Sequence, residues 1–392
     1  MTKQEFELIW RDYQLNLGTH LEECERDGVH IFKYSTTERQ DFKYCRRLWD
    51  FASPSRKGLA KKQVHEALWM GTGFHHVLEE YYRNNVSDLP EEFVATTWNE
   101  WLDEEVKRLE DQILPRDVEA FQESVDNMRT LGEGMLVNYV TWAQKADLDE
   151  ETGFKNILSV EREFQVPVRD AEGNIARWTD RNGEVWEVHL VGRMDMLVLD
   201  FSDRVWVVDH KTSKDRVNVE HLILDDQMTI YIWAIQQILG VEVEGALYNC
   251  VRKKLPTIPK ELKAGGLSQA KDIDTTYDVY LKAIEEHEFD PADYQKILNI
   301  LADKPNGFQM REKVRRNQHE IALAGHLLLC EGIDMLNAPF IYPNPNWDCS
   351  WRCDYKPLCE AVNRGDDVQF IIDKAYEKSD RGEVYKREST IE

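Results

Sequence analysis

Two apolar runs joined by a tight turn constrain the fold of this chain more than any other feature. Residues 191–200 read VGRMDMLVLD and residues 204–213 read RVWVVDHKTS, a pattern that predicts two adjacent β-strands. The second run ends in charged residues, which is typical of a site at the edge of a sheet. The sequence therefore predicts a sheet whose polar strand ends lie together.

Helix and strand patterns alternate along the rest of the chain. The first 150 residues are predicted to be helical, with clear helical spacing over 93–109. From about Leu158 the pattern changes to a meander of short strands. A helix over 219–240, a strand over 244–253 and helical segments up to about Ala338 follow. This order fits a mixed α/β sheet flanked by helices.

The charge balance limits the classes of function. The chain has 49 Lys and Arg against 73 Asp and Glu, a formal charge of −24, so its surface repels polyanions on average and a general DNA-coating protein is excluded. The first residues carry no secretion signal, and the apolar stretch 230–239 is too short to span a membrane. We therefore expect a soluble, cytoplasmic protein without membrane contact.

Two strand carboxylates and a lysine form the first candidate site. Residues two apart in a strand share a face, so the side chains of Asp209 and Lys211 project together, and Asp195 reaches them from the neighbouring strand. Two carboxylates can bind Mg²⁺ or Mn²⁺ beside a cation that holds or activates water against a phosphodiester. The alternative is a cross-strand ion pair at the sheet margin, which the Asp-His-Lys tripeptide alone favours.

Two further segments supply candidate partners for this site. Residues 71–82, GTGFHHVLEEYY, pair glycines that allow close backbone approach with His75 and His76, one of which could be a third metal ligand. Gln227 and Tyr231 lie four residues apart on one helix face and could bind DNA. The alternatives are a packed histidine at a helix start and a half-buried polar stripe.

Three cysteines near the end of the chain suggest a metal centre. The pattern Cys349-x3-Cys353-x5-Cys359 places three thiols within eleven residues of a chain that shows no disulfide framework, so zinc or an iron–sulfur cluster is expected. Cys45 is the best candidate for the fourth ligand. The other cysteines fit amphipathic or apolar runs, where a free thiol is usually a small core residue; these are Cys24, Cys250 and Cys330.

Together these motifs resemble the RecB-type nuclease domain of the PD-(D/E)XK superfamily, in its iron–sulfur branch. That branch includes CRISPR-associated adaptation nucleases, AddB-type subunits and many bacteriophage exonucleases. The family's motifs occur in order as GxxxHxxLE at Gly71, His75, Leu78 and Glu79, GxxD at Gly192 and Asp195, (D/E)xK at Asp209 and Lys211, QxxxY at Gln227 and Tyr231, and cluster cysteines at Cys45, Cys349, Cys353 and Cys359.

The resemblance implies a role for each of these residues. His75, Asp195, Asp209 and the His210 carbonyl would hold Mg²⁺ or Mn²⁺, and Lys211 would complete the catalytic group. Gln227 and Tyr231 would contact DNA, and the four cysteines would hold a 4Fe-4S cluster. Two positions depart from the family pattern, His210 in place of an apolar residue and Met194 in place of proline, but neither position supplies a side-chain role.

The resemblance further implies a metal-dependent DNA exonuclease that acts on single-stranded DNA or DNA ends in recombination, repair or phage DNA metabolism. Its expected partners are DNA and recombination or replication proteins, in a bacterial cell or phage-infected host. The alternatives are a structure-specific endonuclease of the same fold and a non-cleaving zinc or iron–sulfur DNA-binding adaptor. The chain has no Walker A motif, so it lacks a helicase motor.

The predicted division of the chain follows from these assignments. Basic segments at 56–62, 252–263 and 311–316 are expected to form a DNA channel within the acidic surface. The five predicted parts are a helical region with the first cluster cysteine and the metal-binding histidine helix (1–150), the nuclease β-sheet core (151–260), a helical DNA-channel region (261–338), the iron–sulfur cysteine segment (339–365) and a charged tail (366–392).

Overall fold

A mixed β-sheet with helices on both faces forms the centre of the molecule. The computed structural model describes residues 1–62, 66–110, 113, 118–263, 265–303 and 306–379. Its helices are α1 (Lys3–Asp27), α2 (Thr36–Tyr44), α3 (Arg46–Ala52), α4 (Glu66–Arg83), α5 (Pro90–Glu110), α6 (Val118–Ala146), α7 (Val219–Ile223), α8 (Asp226–Leu239), α9 (Tyr277–Glu286), α10 (Gln295–Asp303), α11 (Gln318–Leu336), α12 (Lys356–Arg364) and α13 (Val368–Ala375).

The strands confirm the predicted mixed α/β class. They are β1 (Val29–Tyr34), β2 (Leu59–Lys61), β3 (Asn156–Pro167), β4 (Arg177–Thr179), β5 (Val185–Leu199), β6 (Val205–Ser213), β7 (Val243–Arg252), β8 (Gln309–Arg315) and β9 (Tyr376–Lys378). Seven of them form one sheet in the order β1-β5-β6-β7-β8, and β3 and β4 also pair with β5. β1–β5 and β6–β7 are parallel pairs, whereas β5–β6 and β7–β8 are antiparallel.

Alternation along β6 shows how the sheet separates two apolar cores. Val205 and Val207 belong to the core formed with α1, α8 and α11, whereas Trp206 and Val208 belong to the core formed with α4, α5 and α6. Because successive strand residues point to opposite faces, one apolar run supplies both cores. The last residues of β6 therefore also divide between the two faces.

The strands β5 and β6 stay paired over only part of their length. Their ladder runs from Leu199↔Val205 to Met196↔Val208 and ends there. Asp195 and Asp209 are the next residues on each strand. Beyond the last pair, the backbones of β5 and β6 no longer form hydrogen bonds with each other. Backbone N–H and C=O groups of both strands can therefore form hydrogen bonds with side chains. The predicted carboxylates thus lie where the sheet opens.

Residues 309–315 differ from the sequence expectation of helix. They form β8, an edge strand of the central sheet. Arg311 is buried, with its guanidinium 2.7 Å from Asp147 Oδ1 and packed over the rings of Trp142 and Phe154. Arg316 is also buried and donates to Thr229 Oγ1. The basic segment at 311–316 predicts arginines that line a channel, but acceptors and aromatic rings in the interior hold Arg311 and Arg316 there.

Three other segments differ from their predicted structure. The helix expected over 219–240 is interrupted, because the Asp225 side chain caps a new helix, α8. The predicted helical N-terminal region contributes β1 to the sheet. In the segment predicted as a charged tail, α13 and β9 pack beside the late cysteines, and β9 pairs with β2. Residues 380–392 of that tail lie outside the described residues. None of the described helices is both long and apolar enough to cross a lipid bilayer.

Candidate active site at the opening between two strands

Asp195 lies at the centre of a group of polar side chains beyond the last β5–β6 pair. Its Oδ2 accepts a hydrogen bond of 2.7 Å from the backbone N–H of His210. Burial favours the protonated form, but the charge of His75 and this N–H outweigh burial and keep the pKa of Asp195 below its usual range. The structure therefore holds an ionised carboxylate at a fixed position.

Asp209 and Lys211 lie together, as the two-residue period of a strand predicts. Lys211 Nζ is 2.7 Å from Asp209 Oδ2 and 3.5 Å from Asp225 Oδ2. Burial raises the pKa of Asp209 to about 6, although the charge of Lys211 opposes this shift. Burial would lower the pKa of Lys211, but the charge of Asp209 outweighs it and the pKa lies above its usual value. Lys211 is therefore a charged ammonium group at neutral pH.

His75 reaches the same group from the other face of the sheet. It lies in the middle of α4, not at a helix start as the sequence suggests, and its Nδ1 is 3.4 Å from Asp195 Oδ2. Burial would lower the pKa of His75, but the charges of Asp195 and Glu161 raise it well above its usual value. His76 is not part of this group.

Close packing at a glycine positions this helix. A Cβ atom on Gly73 would lie 2.3 Å from Trp101 and 2.6 Å from Trp98. At Gly71, the first residue of the GxxxHxxLE motif, the nearest atom would be 3.9 Å away. The close approach that the sequence suggests therefore occurs at Gly73.

Glu161 is a member of the group that the sequence motifs do not predict. Its Oε1 lies 3.7 Å from His75 Nδ1, and burial raises its pKa. The residue has φ +45°, a left-handed conformation that is uncommon for a non-glycine residue and that is often found at functional sites. A charged residue in an otherwise strand-like run, SVEREF, is the only sequence signal for it.

An arginine links Glu161 to the histidine helix. Arg193 Nε lies 2.6 Å from Glu161 Oε2, and its Nη2 lies 3.0 Å from Glu79 Oε2. Glu79 belongs to the GxxxHxxLE motif, and it also pairs with Arg83. The motif glutamate thus positions the group through Arg193 rather than by direct contact with Asp195.

The donor set is suitable for a divalent cation. Ligand atoms of His75, Glu161 and Asp195 all lie within 4.8 Å of one another. Asp209 Oδ2 is buried beside Lys211 but accepts no hydrogen bond of good geometry from the described residues. A buried carboxylate oxygen with a free lone pair fits metal coordination, and oxygen donors with one imidazole suit Mg²⁺ or Mn²⁺.

The backbone of His210 faces this group, and its ring packs edge-on against His75, with 6.0 Å between the ring centroids. The amide N–H bonds Asp195, and because N–H and C=O of one strand residue point to the same side, the carbonyl faces the opening too. The ring stacks on Tyr82, and Nδ1 is 2.7 Å from Asn249 Nδ2. Burial lowers the pKa of His210 to about 3, so the imidazole is neutral.

The two residues predicted to bind DNA differ in their exposure. Tyr231 is only 8% exposed, packs edge-on against Phe164, and has its hydroxyl beside Thr36 and Gln227. Gln227 is half-buried in the first turn of α8, and its N–H donates to Asp225. The phenol therefore supports the glutamine side chain, while the amide is the group that can reach a ligand.

A cleft gives the Glu161 side of the group access to solvent. It has a volume of about 940 Å³ and runs along residues 154–162 of β3 and its approach, beside the end of α4. Basic and acidic side chains alternate along its wall, among them Arg83, Lys155 and Glu161. The cleft therefore reaches Glu161, one of the candidate metal ligands.

The four predicted cluster cysteines converge from both ends of the chain. Cys353 is close enough to Cys45, Cys349 and Cys359 for their charges to act on it, and together with burial they raise its pKa. No three of the four sulfurs, all of which the structure describes, lie within 4.8 Å of one another. None of these cysteines forms a disulfide.

Three of these sulfurs each accept a hydrogen bond. Cys45 Sγ accepts from the N–H of Asn344 at 3.3 Å, and Cys349 Sγ accepts from the N–H of Asn346 at 3.4 Å. Arg47 Nη1 donates to Cys359 Sγ at 3.4 Å. Such donors stabilise thiolates, as they do around iron–sulfur clusters.

Comparison with known proteins identifies one family. The family model described as "PD-(D/E)XK nuclease superfamily" matches residues 33–360. One solved structure, described as the crystal structure of SSO0001, is 11% identical and covers 62% of this chain and 78% of its own, with a TM-score of 0.25 that supports no inference. No curated protein matches the chain.

Proposed function

Since this chain belongs to the PD-(D/E)XK nuclease superfamily and is thus a metal-dependent nuclease acting on DNA, we propose that it is an exonuclease that degrades single-stranded DNA or DNA from its ends. One observation carries the catalytic part of the proposal. His75, Glu161 and Asp195 converge within 4.8 Å at the opening between β5 and β6, where Asp209 and Lys211 also lie.

The proposed ligands are His75, Glu161, Asp195, Asp209 and the His210 carbonyl. When bound, Mg²⁺ or Mn²⁺ supplies a Lewis acid for the scissile phosphate and lowers the pKa of a coordinated water. The His210 N–H keeps Asp195 oriented, and Arg193 does the same for Glu161. These contacts hold the acidic side chains in place before DNA arrives.

Lys211 is the proposed electrostatic group of the reaction. Its ammonium stays charged and lies between Asp209 and Asp225, so it can donate a hydrogen bond to the attacking water or to a phosphate oxygen as negative charge develops there. Gln227, supported by Tyr231, lies at the start of the adjacent helix and is the proposed DNA contact.

Exposed aromatic side chains support a preference for unpaired bases. Trp347 is 92% exposed and Trp351 is 73% exposed, and Phe340 and Tyr342 are exposed in the same segment. Bases of single strands stack on such rings with little dependence on sequence. Arg46 lies over the Tyr342 ring and is paired with Asp334. A single strand or a frayed end can therefore bind despite the overall charge of −24.

A 4Fe-4S cluster held by Cys45, Cys349, Cys353 and Cys359 is the second part of the proposal. The N–H and guanidinium donors to the sulfurs support bound thiolates. A single zinc ion would draw its four sulfurs to within about 3.8 Å of one another, given Zn–S bonds of about 2.3 Å. The wider spacing favours a cluster of several irons.

The cleavage test uses anaerobically purified protein and end-labelled single-stranded, duplex and circular DNA. Each substrate is incubated with Mg²⁺, Mn²⁺ or EDTA. Stepwise loss from the ends by the wild type and by Lys282→Ala, but not by Lys211→Ala, is the expected result. Lys282 is a suitable control because it is an exposed lysine on α9.

Other outcomes identify the competing functions. Cleavage of circular DNA would contradict the exonuclease proposal and favour an endonuclease of the same fold. If folded protein binds DNA but cleaves no substrate with any metal, the proposed exonuclease activity is contradicted. The DNA-binding adaptor is then favoured. We expect iron and acid-labile sulfide in the wild type and in Cys330→Ser, but not in Cys349→Ser. Zinc in place of iron would contradict the proposed iron–sulfur cluster.

A further inference from the structure

A second group of metal-ligating side chains lies between α1 and β5. His20 and Cys24 are one helical turn apart on α1, and Glu187 lies opposite them on β5. Ligand atoms of all three lie within 4.8 Å of one another. His20 Nε2 is 2.7 Å from Glu187 Oε2, and Cys24 Sγ is 3.4 Å from His20 Nε2. This group is independent of the nuclease motifs and of the four cluster cysteines.

The surroundings of Glu187 are unusual for the interior of a protein. The carboxylate is fully buried, and His189, also fully buried, has its Nε2 at 3.2 Å from the same Oε2 atom. Arg177 Nε lies 3.0 Å from the other oxygen, Oε1. Two imidazoles and a thiol thus face one buried carboxylate oxygen, while an arginine holds the second oxygen in place.

The thiol of Cys24 is in an equally unusual position. The amphipathic run around Cys24 predicts a small apolar core residue, and a free cysteine normally packs in that way. Cys24 is indeed buried, yet its sulfur contacts an imidazole and lies within ligand distance of a carboxylate. Burial and the charge of Glu187 raise the pKa of this thiol to about 11, so Cys24 would release its proton only when the metal binds.

We propose that His20, Cys24 and Glu187 bind a Zn²⁺ ion. Imidazole, thiolate and carboxylate are the side chains that bind zinc, whereas Mg²⁺ and Ca²⁺ prefer oxygen donors and do not favour a thiolate. With Zn–S bonds of about 2.3 Å and Zn–N bonds of about 2.0 Å, tetrahedral geometry separates sulfur from nitrogen by about 3.5 Å. The observed separation of 3.4 Å between Cys24 Sγ and His20 Nε2 agrees with that value.

His189 lies beside the proposed site but is not one of the three residues whose ligand atoms converge. Its Nε2 lies 3.2 Å from Glu187 Oε2, and its Nδ1 lies 2.8 Å from the side-chain amide of Gln165. His189 therefore holds the Glu187 carboxylate in place, and a water molecule is the proposed fourth ligand of the zinc ion.

The proposed zinc ion would fasten the first helix to the central strand. Glu187 and Asp195 are eight residues apart on β5, which corresponds to about 26 Å along an extended strand. The ion is therefore remote from the proposed catalytic metal and serves the fold rather than the reaction. His20 keeps partial exposure, which gives zinc an entry path.

Zinc content per chain tests this proposal. The wild type, Cys24→Ser, His20→Gln and the control Cys330→Ser are dialysed against a weak chelator, and zinc and iron are measured together by elemental analysis. Cys330 is a matched control because it lies one turn from His326 with Sγ 3.6 Å from Nε2, but without a third ligand among the described residues. We expect one zinc ion per chain in the wild type and the control, and its loss in the other two variants.

Thermal stability gives a second readout on the same proteins. Zinc added to chelator-treated protein should raise the Tm of the wild type and of Cys330→Ser but not of Cys24→Ser, because a ligand that binds the native state stabilises it. Taking differences between variants removes zinc bound at the four cluster cysteines. Equal zinc content in the wild type and Cys24→Ser, or an equal response of their Tm to zinc, would overturn the proposal in favour of an ion-pair network around Glu187.

Discussion

The backbone N–H of His210 donates a hydrogen bond to Oδ2 of Asp195, across 2.7 Å. This contact joins the two motif strands beyond the point where their ladder ends, and it uses no side-chain atom of His210. The residue between Asp209 and Lys211 can therefore vary without loss of the contact. This explains how histidine occupies a position where relatives are expected to have an apolar residue.

Asp195→Asn should remove cleavage and leave the fold intact. The asparagine oxygen can still accept from His210 N–H, but it lacks the charge that a metal ligand supplies. We expect a fall of several orders of magnitude in the cleavage rate, measured on end-labelled single-stranded DNA in Mn²⁺, with the Tm nearly unchanged. Asp203→Asn, in the exposed turn after β5, is the control and should keep full activity. Retained cleavage by Asp195→Asn would exclude Asp195 as a ligand.

Glu161→Gln should raise the metal concentration that cleavage requires, a milder effect than the loss of cleavage expected for Asp195→Asn. The substitution removes a charge from the proposed ligand set while His75 and Asp195 remain, so the Mn²⁺ concentration for half-maximal activity should rise by about tenfold or more. Glu163→Gln, two residues along β3, is the control. An unchanged dependence of activity on Mn²⁺ concentration in Glu161→Gln would exclude Glu161 as a metal ligand and leave it a structural role.

The two glycines of α4 should respond in opposite ways to alanine. Gly73→Ala would place a Cβ 2.3 Å from Trp101, and such overpacking costs typically about 1–3 kcal/mol. Gly71→Ala meets only ordinary contacts, and alanine favours the helix by up to about 1 kcal/mol. Chemical denaturation of both variants measures the difference. Equal stabilities would contradict the packing described around α4.

Stability should fall as pH rises through neutrality because of Glu38. Burial raises the pKa of Glu38 in the native state to about 7, against an ordinary value of 4.5. Between these values the native state binds more protons than the unfolded state, so the free energy of unfolding decreases with pH over about 4.5 to 7 and levels off above. Glu38→Gln should flatten this dependence, measured by denaturation at several pH values, whereas Glu286→Gln at an exposed site should follow the wild type. Parallel curves for Glu38→Gln and the wild type would contradict the raised pKa.

Cys349→Ala should remove iron and lower stability together. The proposed cluster joins Cys45 to a segment some three hundred residues later, and a link over so long a loop contributes on the order of 4 kcal/mol through the unfolded state. Cys330→Ala, on the exposed side of α11, is the control. Unchanged iron content and unchanged Tm in Cys349→Ala would exclude this cysteine from a cluster.

The sequence predicts the centre of the fold well because local patterns determine it. The apolar runs of β5 and β6 and the turn between them follow from period and turn residues alone, and the mixed α/β class is confirmed. Asp209 and Lys211 share a face because a strand requires it. The proximity of these residues to Asp195 follows from the pairing of adjacent strands.

Long-range contacts account for what the sequence does not predict. Charged residues in short strands normally face solvent, so nothing local shows that Glu161 and Arg311 are drawn inward by partners on distant elements. Arg193 stays exposed, and nothing local shows that its partners lie on α4 and β3. Glycines near His75 suggest a helix start, yet they lie inside α4 because two tryptophans pack against the helix there.

The parallel pairing of β1 with β5 has a consequence for how the chain matures. Residues 29–34 pair with residues 185–190, so the first strand must wait through the synthesis of some 150 further residues before its partner exists. Domains that depend on such distant pairings fold slowly and expose apolar surface meanwhile. Cys45 waits longer still, because Cys359 emerges more than three hundred residues later. The proposed cluster can therefore be loaded only after the segment that carries Cys359 has been synthesised, so iron delivery must follow the synthesis of every strand of the central sheet.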